Sequence, residues 1–137
     1  MKAALLTVLA MTGMLAACSS KPVESLVGCY AMGGEGTPSL KIAEADDDQY
    51  VLSVISDGAW SEPVTLNELD AAKLQALMGS TADEVTPKAG FSSADGAFKI
   101  VEVPAESSFN GKAIDSPYLA SFYFGSGTVY KKSCPTA

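Results

Sequence analysis

From Leu26 onward, short runs of alternating apolar and polar residues are separated by clusters of glycine, proline and aspartate. Alternation with period two places one set of side chains on each face of a strand, so this stretch predicts a series of half-buried β-strands. Leu26, Gly28, Tyr30 and Met32 alternate with Val27, Cys29 and Ala31 as a first strand, and Gly33 to Pro38 reads as a loop. Leu40 and Ile42 mark a second strand with Lys41 facing outward, and Asp46-Asp47-Asp48 turns the chain into the β-rich run Tyr50 to Ile55. Asp57-Gly58 is a hairpin signal, after which Trp60, Val64 and Leu66 continue with period two. Pro63 lacks an N–H for a ladder, so it predicts an edge or a break there.

The period changes once. Ala71, Leu74, Leu77 and Met78 share a helical face, Asp70 is placed to cap it and Gly79 to end it. An earlier start through Thr65-Leu66-Asn67-Glu68 also fits a capping box. Ser80 to Gly90 is polar and loop-like. A further hairpin runs through Asp95-Gly96 into Phe98 to Val103, where the apolar parity switches between Ile100 and Val101; this predicts a bulge or a strand covered on both faces. Pro104 to Pro117 is the longest polar loop, and Tyr118 to Phe124 pairs with Thr128 to Lys132 around Gly125-Ser126-Gly127. Tyr118, Ala120, Phe122 and Phe124 share one face of that hairpin, while Leu119 and Tyr123 share the other, so its second face is either covered or docks something.

The predicted fold is mainly β: an antiparallel meander of about seven or eight strands, forming a small barrel or sandwich, with one short helix near 70–78. Residues 26–137 suffice for a single domain of this kind.

The first residues follow a different pattern. Lys2 is followed by a short apolar run to Met14, then by Leu15-Ala16-Ala17-Cys18. This is the layout of a secretory signal and is too short for a spanning helix. Leu15 to Cys18 resembles the lipobox of bacterial lipoproteins. The resemblance implies that 1–17 is cleaved, that Cys18 is acylated as the new N-terminus, and that 18–25 is a tether. Ser19 to Ser25 reaches at most about 25 Å. Ser19 stands where that family typically carries a retaining aspartate, which implies the outer membrane, with the domain facing the periplasm. With Cys18 assigned to lipid, Cys29 and Cys134 are left to form one disulfide, as two thiols in an oxidising compartment most simply do. Leu26-Val27-Gly28-Cys29-Tyr30 also resembles the first strand of lipocalin-type barrels, in which a glycine precedes an aromatic by two positions; that likeness implies carriage of a small apolar ligand.

Charge and missing residue types narrow the chemistry. All 16 acidic residues follow Cys18, as do eight of the nine lysines, so the mature domain carries 8 − 16 = −8. Such a field opposes nucleic acid and favours a basic protein partner. The chain has no histidine and no arginine, which removes imidazole catalysis, histidine metal ligation and bidentate anion clamps. Glu44, Asp46, Asp47 and Asp48 do not match a calcium loop, because neither count places glycine sixth and glutamate twelfth. No catalytic residue, metal or cofactor is expected. The loop 105–116, with Phe109 as its one aromatic beside Asn110, Lys112 and Asp115, is the expected binding element. The reading is a membrane-anchored, non-enzymatic binding module for a protein or envelope component, in its sharper form an inhibitor or immunity partner of a basic cell-wall hydrolase; the alternative is a lipocalin-like carrier.

Overall fold

The structure is a computed structural model that describes residues 22–46, 48–79, 85–109, 111–123 and 125–135. The expected signal segment, Cys18 and residues 19–21 lie outside the described residues. The strands are β1 (Gly28–Ala31), β2 (Leu40–Glu44), β3 (Tyr50–Ser56), β4 (Ala59–Trp60), β5 (Val64–Glu68), β6 (Ala89–Ser93), β7 (Lys99–Glu102), β8 (Ser108–Phe109), β9 (Lys112–Ala113), β10 (Tyr118–Phe122) and β11 (Gly125–Lys132). The helix α1 is Ala71–Met78.

Eight of these strands pair in the order β1-β2-β3-β5-β6-β7-β10-β11, every pairing antiparallel, and β11 returns to pair with β1. The meander is therefore a closed barrel, not a sandwich, and closure gives each of its eight strands a partner on both sides. Tyr30, Ile42, Phe91, Ile100 and Val129 are fully buried members of the interior cluster. Tyr50 packs on Phe91 with ring centroids 4.8 Å apart, and Phe98 on Phe122 at 5.3 Å.

The register explains several boundaries. Asp57 and Gly58 both have positive φ, 52° and 80°, the paired left-handed conformation of a tight hairpin between β3 and β4. Pro63 falls in a break between β4 and β5, as its missing donor requires. Ser61 bridges the gap: its N–H donates to Val54 O at 2.7 Å, and its hydroxyl accepts from Val54 N at 3.1 Å. The helix starts at its Asp70 cap, whose carboxylate accepts from Lys73 N at 2.8 Å; the earlier start at Thr65 is overruled because Val64–Glu68 is strand β5. The last hairpin turns between Phe122 and Gly125, not at Gly125 to Gly127. Pairing Tyr118 with Val129 and Phe122 with Gly125 sends Val129 into the core, and a turn shifted along the chain would face it outward.

The first strand begins at Gly28, not Leu26. Pro22–Leu26 is a 3-10 turn that places Val23 and Leu26, 1% and 0% exposed, in the interior cluster. Each such burial is worth about 1.5–3 kcal/mol, so residues 22–25, expected as tether, are pulled with Leu26 into the barrel's end. Tyr30 Oη donates to Leu26 O at 2.6 Å, Lys131 Nζ donates to Ser25 O at 2.6 Å, and the Ser25 hydroxyl donates to the Glu102 carboxylate. Burial, then the neighbouring Tyr118 and Glu102, push the Tyr30 hydroxyl far above the usual tyrosine range.

Cys29 and Cys134 form a disulfide, with Cα atoms 5.1 Å apart. The bridge lies where β1 meets the end of β11, because Cys29 is already opposite Lys132. It staples the seam at which the barrel closes. Both described ends of the chain emerge at this same terminal end, because each strand of the meander reverses the one before it.

Candidate functional site

The parity switch between Ile100 and Val101 is a strand covered on both faces. Ile100 points into the barrel, whereas Val101, 3% exposed, belongs to a second cluster outside it with Leu74, Val85 and Val103. The cover is α1, and Gly90 on β6 makes room for it. A Cβ on Gly90 would stand 2.8 Å from Leu74 Cδ2 and 2.9 Å from the carbonyl oxygen of Ile100, so only glycine lets the helix approach this closely.

The loop between β7 and β10 supplies a second cover. Its short hairpin β8–β9 folds back on the wall, and Phe109 and Ile114 pack against the outer cluster. Between helix and hairpin lies an open groove of about 470 Å³. Leu77 and Met78 line one side, and Phe109 and Ile114 also line it.

The floor is made of rungs across three paired strands. Val101, Leu119 and Thr128 sit side by side on β7, β10 and β11; Lys99, Ser121 and Ser126 form the rung two residues nearer the end remote from the termini. These positions alternate with Ile100, Ala120 and Val129, which face the core, so both rungs face outward. The floor is thus graded from Val101 and Leu119, with Thr128 beside them, to a cation with two hydroxyls.

Of the residues expected to bind together, Phe109 and Lys112 are cross-strand partners in the β8–β9 hairpin, whereas Asp115 is engaged with Tyr130. Phe109 is half-buried in the groove wall, not a free plug. Asn110 lies outside the described residues. Lys112 is exposed on β9. Asp115 is engaged elsewhere: both its oxygens accept from Tyr130 Oη at 2.9 Å, a bond that raises the tyrosine's pKa. The groove residues Lys99, Ser121 and Thr128 were missed as site residues, although Leu119 on the second apolar face of its strand was the signal that something covers that wall.

A second surface is the far end, remote from both chain ends. Its turns and strand ends carry Met32, Ile55 and Tyr123, which are 51%, 41% and 82% exposed, together with the acids Glu35, Asp57, Glu62 and Asp95. Half-buried Trp60 lies opposite Ile55, with Lys41 Nζ 4.8 Å from its ring centre. Asp95 accepts from Ser93 Oγ at 2.7 Å and from Ala97 N at 3.0 Å, which holds its pKa below the usual aspartate value, the serine bond contributing most. The acidic turn after β2 is at the opposite end, closed by Ala45 N–H donating to Gln49 O at 2.6 Å.

No family model, no curated protein and no solved structure matches this chain.

Proposed function

We propose that the chain is a lipid-anchored envelope protein whose domain is a non-enzymatic binding module of the inhibitor or immunity kind, directed at a basic cell-wall hydrolase. The observation that supports this reading is the far end of the barrel. Exposed Met32, Ile55 and Tyr123 there can anchor a partner, and four carboxylates around them complement a basic surface. An anchor on Cys18 would enter at the opposite end. Only residues 19–21 separate it from Pro22, a reach of about 14 Å, so the far end would point away from the bilayer. The side-chain-filled interior favours this reading over carriage of a ligand inside the barrel.

The test is inhibition of peptidoglycan lysis by a purified muramidase, an amidase and an endopeptidase of high isoelectric point, with the soluble domain added. At least one should be inhibited. Reversing Glu35, Asp57 and Glu62 to lysine should slow its association by about tenfold at low salt. If none of the three classes binds or is inhibited, the reading is wrong. The anchor is tested separately: Cys18→Ala should abolish acyl labelling, and Ser19→Asp should move the protein to the inner membrane. Unchanged labelling and fractionation would remove the address.

A further inference from the structure

We propose that the wall groove is a binding site for a single-chain amphiphile with an anionic head, its acyl chain over Val101 and Leu119 and its head at Lys99. This stands on the groove alone and not on the hydrolase reading.

The first argument is the gradient of the floor. Val101 and Leu119, with Phe109 and Leu77, offer hydrocarbon. One rung away, Lys99 is flanked across the strands by the Ser121 and Ser126 positions, which offer a positive charge and hydroxyl donors to an anion. Lys99 is the charged residue among those lining the groove, in a domain that is otherwise strongly acidic. Among the described residues no carboxylate lies within ion-pair distance of it. By contrast, Lys88 pairs with Glu102 at 3.8 Å and Lys131 is bonded to Ser25 O.

The second argument concerns what the groove cannot offer. Across the groove floor β7 and β10 are paired on both sides, so their backbone groups are committed to the barrel ladder, whereas Ser126 to Thr128 of β11 pair with β10 alone. An extended peptide laid over β7 and β10 would find no edge on which to add a strand, and its own N–H and C=O groups would lose water without replacement there. A hydrocarbon chain has no such groups. The volume of about 470 Å³ falls within the range of roughly 300–1,000 Å³ typical of small-ligand sites. Met78 and Leu77 give one wall adaptable side chains suited to a flexible chain.

The ligand chemistry has two sources, a free fatty acid or a lysophospholipid with an anionic head. The soluble domain from Ser19, which holds the whole closed barrel, is titrated below micelle formation with laurate, lauroyl-lysophosphatidylglycerol, dodecanol and dodecyltrimethylammonium. Calorimetry and methyl NMR are the readouts. Laurate or the lysophospholipid should bind at least about tenfold tighter than the cationic amphiphile and shift the Val101 and Leu119 methyl signals. Whichever anion binds better identifies the source. Lys99→Gln should weaken the anion about tenfold and leave dodecanol within about twofold; Phe109→Asp should weaken both, with a folded spectrum retained. Equal binding of the cationic amphiphile, shifts confined to other methyls, or indifference to both substitutions would overturn the proposal. So would tighter binding of an alternating leucine–glutamate peptide at the same methyls.

Discussion

The inner and outer faces of β7 carry two apolar clusters that differ in how they are closed. Inside, Ile100 belongs to a cluster to which all eight barrel strands contribute, and the 3-10 turn closes one end of it. Outside, Val101 depends on elements recruited from beyond the sheet: an eight-residue helix and a hairpin of two-residue strands. Those pieces are too short to roof β7, β10 and β11 together, and the uncovered remainder is the groove. The strand closes one cluster completely and leaves the other open. The open face is where chemistry can be added without disturbing the fold.

The comparison predicts unequal losses. The seam should matter most. Replacing Cys29 and Cys134 together by alanine should cost about 4–5 kcal/mol, because the bridge closes a loop of 105 residues. Denaturant unfolding measures this, and a loss below about 1 kcal/mol would mean that β1–β11 pairing holds the barrel unaided. Next come paired truncations. Phe91→Ala, inside, should cost about 3–5 kcal/mol, and Phe109→Ala, on the groove wall, about 1 kcal/mol. Similar values for the two would erase the distinction between clusters. Gly90→Ala should destabilise by about 1–3 kcal/mol, because the new methyl meets backbone as well as Leu74. It should shift NMR signals of α1 while sparing β2 and β3; a neutral result would show that the helix is loosely seated.

The smallest effect separates the plugged end from the groove by pH. Tyr30 stays protonated in the fold well above the value near 10 at which it ionises when unfolded. Its contribution is therefore fully present below about pH 10 and lost as pH rises further, by at most about 1.4 kcal/mol per pH unit. Tyr30→Phe should cost about 1 kcal/mol at neutral pH through the lost bond to Leu26 O, and should flatten that alkaline decline. Tyr118, whose pKa burial also raises, leaves a residual slope. An unchanged slope would place the alkaline transition elsewhere.

Much of the barrel was legible because period-two patterning and turn chemistry act locally. Asp57-Gly58 and the Asp70 cap behave as their residue types dictate. The choice of barrel over sandwich was not legible, since it depends on β11 meeting β1 across almost the whole chain. Val23 was read as part of the tether and Leu26 as the start of the first strand, because two apolar residues three apart do not announce a 3-10 turn and only the finished barrel offers them a hole. Of the site, Phe109 was visible as an unusual aromatic in a polar loop. Lys99 was not, because its rung with Ser121 and Ser126 exists only after three strands are registered.

The staple at the seam also has a mechanical consequence. Because Cys29 and Cys134 are joined, tension applied between the two ends of the chain passes through the sulfur bridge and bypasses the residues enclosed by it. A pull can lengthen only the short segments outside the loop, beginning with the 3-10 turn and its Val23 and Leu26 plug. Under load the barrel would be unplugged at its end before any strand could peel away, and reduction of the bridge would turn a nearly inextensible body into one that can be drawn out along its full contour.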